Sequence, residues 1–300
     1  MLVALPTCQD LPDWEVDDAP FHRALEEVDI AWERPIWDDP KVDWSRFDAV
    51  LIRTTWDYQL KEPAFLTWIE HVAAVSRLFN PHSVISWNTK KTYLRDLESA
   101  GARLTPTSWL EKGTSVKLRE LIAELGWTRG FLKPVVGATA RETLRFHCDE
   151  SGLNVAQAHL DRLLPNESMM LQPYLDTVET EGELSALYFD GVFSHGVRKI
   201  PVPGDYRVQD DFGASDEPYS FSSTEETEIQ GILTALQRVL SQQCHLEEAL
   251  LYARIDVLRD GQGGLFLNEL ELVEPSLFFR HAQASPMRLA QALKRRLSRC

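Results

Sequence analysis

The fold is decided by the stretch LYARIDV (residues 251–257), in which apolar and polar side chains alternate. Successive residues of a strand face opposite sides, so Arg254 and Asp256 share one face and the aliphatic residues share the other. The turn-forming sequence DGQGG (260–264) follows, and a second alternating stretch contains Glu269 and Glu271. The pattern predicts a hairpin over 250–258 and 265–273 that places Glu269 opposite Asp256.

Three carboxylates, those of Asp256, Glu269 and Glu271, are therefore expected to lie together on one face of this hairpin. Like charges this close raise one another's pKa and destabilise a sheet unless a cation neutralises them. Mg²⁺ prefers carboxylate oxygens, so one interpretation is a magnesium site, which Mn²⁺ could also occupy. The other interpretation is a solvated acidic face on which Arg254 serves as the counter-ion.

Two groups of lysines point to a bound anion. A helix predicted over 88–100 would carry Lys90 and Lys91 in its first turn, where the helix dipole disfavours cations. Lys133 lies in an apolar stretch, where a charge is seldom found without a partner. A nearby phosphate would explain both observations. Lysines that point into water, and a structural carboxylate beside Lys133, are the alternatives.

Composition narrows the class of partner. The chain has 300 residues, 44% of them hydrophobic, which suggests about two domains with buried cores. Its formal charge of −15, from 46 acidic and 31 basic residues, disfavours nucleic acid and anionic membranes, so small molecules are the expected partners. Cys8, Cys148, Cys244 and Cys300 form no C-x-x-C pair, which favours a reducing cytoplasm. Neither a signal peptide nor a membrane span is expected.

The order of elements predicts a mixture of α/β and α+β structure. Residues 1–85 alternate strands and helices as a small α/β unit, and a boundary is expected near 81–105. In the remainder, 86–300, Asp190-Gly191 predicts a hairpin of 184–189 with 192–200, followed by a polar loop over 201–223. Further strands are predicted over 131–135, 143–147 and 169–172, with helices near 116–125, 154–163 and 224–242 and at the C-terminus.

The ordered set of motifs resembles the ATP-grasp superfamily, and most closely its branch of prokaryotic glutathione synthetases and ribosomal-protein-S6-modifying enzymes. The resemblance covers about 81–280. It implies an ATP-grasp fold with a central lobe at about 105–172 and a C-terminal lobe at about 173–300, preceded by a Rossmann-like domain. The motifs are Lys90, Lys133-Pro134 with the loop 136–141, Gln172-Pro173-Tyr174-Leu175, Gly182-Glu183, Arg254-Ile255-Asp256 and Glu269-Leu270-Glu271.

This resemblance implies roles for the residues in these motifs. Lys90 and Lys133 would hold ATP phosphates, and Glu183 would meet the ribose hydroxyls. Arg254 and Arg207 would steady the transferred phosphoryl group. The loop 136–141 has a single glycine, which leaves its role as a lid open, and Glu271 stands where many relatives carry Asn. The adenine slot would be lined by Gln172, Pro173, Tyr174 and Leu175, and Mg²⁺ would be bound by Asp256, Glu269 and Glu271.

A narrower resemblance is to stand-alone bacterial ligases that include the D-cycloserine-forming enzyme. It is carried by VDW (42–44), RTTWDY (53–58) and WNTK (87–90). It implies an amino-acid-derived substrate that is closed into a ring or joined as a dipeptide-like amide. We place the amine site near 53–58, where Arg53 could pair with a substrate carboxylate and Asp57 with an ammonium, or both could be structural.

We therefore expect an ATP-dependent carboxylate–amine ligase that forms an acyl phosphate and releases ADP and phosphate. A small-molecule kinase on the same fold is one alternative, and a nucleotide-binding regulator without turnover is another. The oligomeric state is left open, with a homodimer as one expectation.

Overall fold

The N-terminal part of the chain forms a parallel sheet with connecting helices, as its sequence predicts. The computed structural model describes residues 1–11, 17–137 and 140–299. The elements are β1 (Leu2–Ala4), α1 (Ala19–Glu27), β2 (Ala31–Glu33), β3 (Ala49–Leu51), α2 (Glu62–Val75) and β4 (Arg77–Phe79). The four strands are parallel in the order β2-β1-β3-β4, which matches the expected α/β unit.

Two short helices, α3 (His82–Asn88) and α4 (Tyr93–Ser99), follow this sheet. The predicted single helix over 88–100 is therefore wrong, since Asn88 ends the first helix and the two lysines lie between the helices. The side-chain amide of Asn88 forms hydrogen bonds with backbone groups outside the helix. Its Nδ2 donates to the Leu270 carbonyl and its Oδ1 accepts from the Leu272 amide, both at 2.9 Å.

The second sheet is antiparallel and packs against two helices. Its elements are β5 (Ser108–Leu110), α5 (Leu118–Leu125), β6 (Arg129–Pro134), β7 (Leu144–His147), α6 (Glu150–Leu163) and β8 (Met169–Pro173). The strand order is β5-β8-β6-β7. Asp149 caps α6 by accepting from the Gly152 amide, and Gly126 ends α5 with a left-handed backbone, φ 70°.

The third sheet contains the alternating stretch 251–257. Its elements are α7 (Thr177–Glu181), β9 (Glu183–Phe189), β10 (Val192–Ile200), β11 (Ser215–Tyr219), α8 (Ser223–Cys244), β12 (Tyr252–Arg259), β13 (Leu265–Glu271) and α9 (Ser285–Leu297). The strand order is β11-β10-β9-β12-β13. The prediction of an irregular loop over 201–223 was wrong in its second half, because β11 pairs with β10 there.

Both predicted hairpins form, and each contains a bulge. Asp190 and Gly191 have φ of 52° and 77°, which suits the tight turn between β9 and β10. The register of that pair shifts between Phe193 and His195, so Lys199 lies opposite Glu183. In the second hairpin Asp256 lies opposite Glu269, as predicted, and the register shifts immediately afterwards.

The N-terminal sheet is attached to the third sheet by polar and apolar contacts. Asn80 donates to the carbonyls of Tyr252 and Leu272 at 3.0 and 2.9 Å, and it accepts from the Leu251 amide at 3.1 Å. Helix α1 packs on α9. A single apolar cluster joins these elements and includes Phe21, Leu25, Phe279, Leu289 and Leu293. The domain boundaries given above remain predictions.

Two expectations concern the whole chain. None of the helices in the described part of the chain combines the length and the apolarity needed to cross a membrane. Cys8, Cys148 and Cys244 are free thiols, as their separation in the sequence suggests, and Cys300 lies outside the described residues.

Candidate active site

A large cleft lies between the second and third sheets. Its cavity volume is about 640 Å³, a size that accommodates a nucleotide and a small substrate. Strands β6 and β8 line one wall, and β9, β10, β12 and β13 line the other. At one end the N-terminal unit contributes Asp17, Pro20, Trp56 and Tyr58. The cleft thus combines residues from all three sheets or their loops.

A continuous ion-pair network forms the floor of the cleft. Lys199 Nζ lies 3.0 Å from Asp256 Oδ2 and also pairs with Glu183. Arg254 Nη2 lies 3.0 Å from Asp256 Oδ2 and also contacts Glu271. Gly182 precedes Glu183 with φ 77°, and a Cβ there would clash with the Lys199 carbonyl, so glycine allows β9 to begin this close to β10. The network consists of Glu183, Lys199, Arg254, Asp256 and Glu271.

The carboxylates of this network differ in their protonation. Burial would raise the pKa of Asp256, but the charges of Arg254 and Lys199 outweigh it and hold the pKa at about 2. Burial raises the pKa of Glu271 to about 7, because the like charges of Asp256 and Glu269 add to it and Arg254 opposes it only in part. The cleft floor therefore holds an ionised Asp256 beside a Glu271 that is partly protonated near neutral pH.

The three predicted metal ligands share one face of the hairpin, but each carboxylate contacts a basic side chain. Asp256 and Glu271 contact Arg254, and Glu269 Oε1 lies 2.5 Å from Lys91 Nζ. Within residues 1–11, 17–137 and 140–299, no group of three or more His, Cys, Asp or Glu side chains is arranged to hold a metal ion. The roles of Asp256, Glu269 and Glu271 as metal ligands remain a proposal.

Two lysines line the cleft, Lys133 on β6 and Lys91 in the connection between α3 and α4. Lys133 is 6% exposed, and its Nζ donates to Asn268 Oδ1 at 3.2 Å. Burial lowers the pKa of Lys133 to about 8, although the charge of Glu269 opposes this. In the part of the chain that the structure describes, no carboxylate lies within ion-pair distance of Lys133. Lys91 also donates to the Gly137 carbonyl at 2.6 Å.

Lys90, the predicted phosphate ligand, points out of the cleft. Its side chain is 51% exposed, and its Nζ lies 3.3 Å from Glu62 Oε1. Lys91, its neighbour, lines the cleft instead. The two side chains separate because this segment is the connection between α3 and α4 and not the first turn of a helix.

Three aromatic rings stand at the end of the cleft near β8. The Phe131 and Tyr206 centroids lie 5.2 Å apart, and each lies near Tyr174, at 6.3 Å. We call Phe131, Tyr174 and Tyr206 the aromatic group. Tyr206 comes from the loop after β10, and its hydroxyl lies 2.8 Å from Thr143 Oγ1, so this loop closes over the cleft.

The remaining predicted nucleotide contacts also line the cleft. Pro173 and Leu175 line the cleft, as does Gln172, whose Nε2 donates to Thr107 Oγ1 at 2.8 Å. Glu183 also lines it, but Lys199 and Asn268 engage both of its carboxylate oxygens, the latter at 2.5 Å. Its predicted contact with ribose hydroxyls would have to replace one of these bonds, so that role stays a prediction.

Arg207, the second predicted catalytic arginine, lines the cleft from the loop after β10. Its guanidinium forms a bidentate pair with Asp205, with Nε and Nη2 at 3.0 and 2.6 Å from Oδ2 and Nε 3.1 Å from Oδ1. It also lies over the ring of Phe212, 3.9 Å from the centroid. These contacts orient Arg207 on its own loop. Of the loop 136–141, residues 138 and 139 lie outside the described part of the chain.

The two candidate substrate residues have intramolecular partners and do not line the cleft. Arg53 is buried and pairs with Asp18 at 2.9 and 2.7 Å, and it donates to the Pro275 carbonyl at 3.1 Å. Asp57 accepts from Trp37 Nε1 at 2.7 Å and pairs with Lys61 at 2.9 Å. These contacts agree with the alternative interpretation, in which Arg53 and Asp57 both have structural roles.

Several cleft residues were not predicted from the sequence, among them Lys199, Asn268, Tyr206 and Glu274. Lys199 and Asn268 lie on strands whose faces could be assigned by counting only if the bulges were known. Tyr206 had a visible signal, since it adjoins Arg207 in the loop after β10. Glu274, beyond β13, lines the cleft and had no such signal.

Comparison with known proteins identifies related sequences and structures. Residues 3–80 match the family model described as the N-terminal domain of D-cycloserine synthetase DcsG. The cycloserine biosynthesis protein DcsG of Streptomyces lavendulae is 32% identical over 98% of this chain and 96% of its own length. The crystal structure of D-cycloserine synthetase DcsG superposes with a TM-score of 0.89 at 30% identity, covering 99% of this chain and 100% of that one.

A more distant structure has the same fold. The D-alanine–D-alanine ligase of Bacillus anthracis, crystallised with ATP, has a TM-score of 0.71 at 14% identity and covers 100% of this chain and 98% of its own. Fold and cleft together define the protein as an ATP-dependent ligase of the ATP-grasp class. Within that class, the chain belongs to the family of D-cycloserine synthetase DcsG.

Proposed function

We propose that this protein closes a cycloserine-type ring by ATP-dependent amide formation. The observation that carries the proposal is the 32% identity to the cycloserine biosynthesis protein DcsG across 98% of the chain. In D-cycloserine, the carboxyl carbon of an amino acid is bonded to a nitrogen that is itself bonded to the side-chain oxygen. The substrate class is therefore an amino acid that carries an aminooxy group on its β-carbon.

ATP is assigned to the cleft between the second and third sheets. Lys91 and Lys133 would bind its phosphates, with Lys91 in the place first given to Lys90. Lys133 supports this role because it is buried and, among the described residues, has only the neutral Asn268 as a polar side-chain partner. The adenine would lie against the aromatic group and the segment 172–175, where ring faces and backbone groups are available to a planar base.

Mg²⁺ is assigned to the carboxylates of Asp256, Glu269 and Glu271. Their oxygen donors share one face, and Mg²⁺ prefers carboxylate oxygens. Burial and the like charges of Asp256 and Glu269 raise the pKa of Glu271, and a bound cation would favour its ionised form. Arg254 would have to release part of its contact with Asp256 and Glu271. When bound, Mg²⁺ offsets the charge of the phosphates.

The residues of the chain would act chiefly by positioning and by offsetting charge. An oxygen of the substrate carboxylate attacks the γ-phosphorus and ADP leaves, while Lys91, Lys133 and Arg254 offset the negative charge that spreads over the transferred group. The aminooxy nitrogen then attacks the acyl carbon. A C–N bond forms, the bond to phosphate breaks, and the nitrogen loses a proton. Closure of the cleft by the Tyr206 loop would keep water from the acyl phosphate.

Incubation with β-aminooxy-D-alanine, ATP and Mg²⁺ tests this function. We expect ADP and phosphate in equal amounts, together with a product that has lost one water and co-elutes with D-cycloserine. A phosphorylated product without ring closure would instead identify a kinase. No ADP release above that of the enzyme with ATP alone, across β-aminooxy and ordinary amino acids, would favour a regulator.

A further inference from the structure

Glu274 is a buried carboxyl group at the substrate end of the cleft that the proposed chemistry does not yet use. It lies three residues beyond Glu271 and is 9% exposed. It lines the cleft beside Trp56 and Tyr58 of the N-terminal unit, and Trp56 Nε1 donates to its backbone carbonyl at 3.3 Å. Its position therefore depends on both the N-terminal unit and the segment after β13.

The Glu274 carboxyl accepts a hydrogen bond from its own backbone amide, but within the described ranges no ion pair or hydrogen bond joins it to another residue. Neighbouring cleft carboxylates differ in this respect, since Asp17, also in the cleft, contacts Ser276 at 3.1 Å and Arg280 at 3.2 Å. Buried carboxyl groups are seldom left without a partner, because the cost of removing the charge from water is then not repaid. A buried carboxyl that faces a cavity and has no partner in another residue is therefore suited to a partner that arrives with the ligand.

The charges around Glu274 favour a cation as that partner. Burial raises the pKa of Glu274 to about 8, the charge of Glu271 adds to the shift, and Arg254 and Lys91 oppose it only in part. A positive ligand group beside Glu274 would favour the ionised carboxylate, so binding of a cation would be coupled to release of the Glu274 proton. Trp56 and Tyr58 line the same end of the cleft, and aromatic rings of these types attract cations.

We propose that Glu274 binds the α-ammonium group of the amino-acid substrate. The inference rests on the proposed function, because that function supplies a substrate with an ammonium group next to the reacting carboxylate. Glu274 would thereby hold the substrate at its ammonium end. The carboxylate of the substrate would then point toward Arg254 and the phosphates. It would be a specificity residue that separates amino acids from acids without an amino group.

Two ligands that differ only in this group test the assignment. β-Aminooxy-D-alanine carries the α-ammonium, and β-aminooxypropionic acid lacks it. Their dissociation constants would be measured by calorimetry in the presence of Mg²⁺ and a non-hydrolysable ATP analogue. We expect the wild type to bind the first ligand about 10- to 100-fold more tightly, as one charged hydrogen bond implies. Glu274→Gln should bind the two about equally, while the exposed control Glu226→Gln should keep the preference.

Each other outcome overturns the assignment. Retention of the preference in Glu274→Gln would show that another group recognises the ammonium, and a wild type that binds both ligands equally, or neither, would show that no group does. Glu274→Met provides a second variant of similar shape, and failure of both variants to fold would identify a structural carboxyl. ADP release is recorded separately. A wild type that prefers the ammonium ligand without releasing ADP would contradict ring closure but support the role of Glu274.

Discussion

Asp256 and Glu269 lie opposite each other on neighbouring antiparallel strands, yet their carboxylates contact different cations. Asp256 is held by Arg254 and Lys199, whereas Glu269 contacts Lys91. The repulsion expected between the two carboxylates is thus offset by basic side chains of the protein itself. Loss of either carboxylate would leave buried positive charge behind.

Asp256→Asn should lower both stability and turnover. Removing one partner from a buried ion pair costs about 3 kcal/mol or more, because the remaining charge is uncompensated. The pKa of Asp256 lies below its ordinary value of 3.8, so its contribution is present above pH 3.8 and is lost as the pH falls through about 2. Urea unfolding at pH 7 would measure the loss. An unchanged free energy of unfolding would contradict the contacts with Arg254 and Lys199.

Glu274 should make the protein less stable as the pH rises. Its pKa is raised from 4.5 to about 8, so the folded state holds a proton that the unfolded state releases. Between these values the free energy of unfolding should fall with increasing pH, by an amount on the order of a few kcal/mol. Glu274→Gln should flatten this slope relative to wild type in urea unfolding from pH 5 to 8. Glu226→Gln is the control and should retain it.

Lys133→Met should weaken ATP binding without lowering the stability of the ligand-free protein. Methionine keeps most of the apolar stem, and no carboxylate among the described residues loses an ion-pair partner. The affinity for ATP should fall about 10- to 100-fold, as expected for a charged hydrogen bond to phosphate. Calorimetry and thermal melting together check this. A variant that melts several degrees lower and binds ATP normally would show a structural lysine.

Substitutions of the adjacent residues Lys90 and Lys91 should differ strongly in their effect on ATP affinity. Lys91→Ala removes a cation from the cleft, and we expect at least about tenfold weaker ATP binding. Lys90→Ala removes an exposed contact with Glu62, which is worth little, so its ATP affinity should stay within about twofold of wild type. Equal losses in the two variants would argue against the cleft position of Lys91.

ATP should stabilise the protein against heat much more with Mg²⁺ than with a chelator. The ion would neutralise charge on both the phosphates and the carboxylates of the hairpin, whereas free ATP brings more negative charge to an acidic floor. Thermal melting with ATP plus Mg²⁺ and with ATP plus chelator compares the two. Equal shifts would count against the magnesium assignment, and Mg²⁺ without ATP serves as the control.

The sequence predicted the last hairpin correctly because two independent patterns agree there. Alternation over 251–257 assigns the faces of β12, and the glycines between 260 and 264 locate the turn. Together they place Glu269 opposite Asp256. The α/β character of the first 80 residues follows in the same way from alternating apolar strands and amphipathic helices.

The bulge in β10 shows why the rest of the cleft was not predictable. If regular antiparallel pairing continued from the turn at Asp190-Gly191, Glu183 would lie opposite Arg198. The register shift between Phe193 and His195 moves the pair to Lys199 and so brings a lysine into the cleft. A bulge adds one residue to a strand and leaves little trace in composition.

Irregular segments also limited how many cleft residues could be predicted from the sequence. Lys90 and Lys91 lie between two short helices, where periodicity does not say which of them faces the cleft. The partners of Arg53 and Asp57 are set by tertiary contacts, such as the approach of Pro275, that lie far away in sequence. Neither kind of information is contained in local patterns.

The packing of α1 on α9 has a consequence for how the protein is made. The apolar surface of α1 is buried by Leu289 and Leu293, which are synthesised long after it. The apolar side of α1 therefore stays uncovered until α9 has left the ribosome. During that interval the nascent N-terminal unit is exposed to chaperones and proteases, and the apolar cluster that attaches it to the third sheet forms only once α9 has emerged.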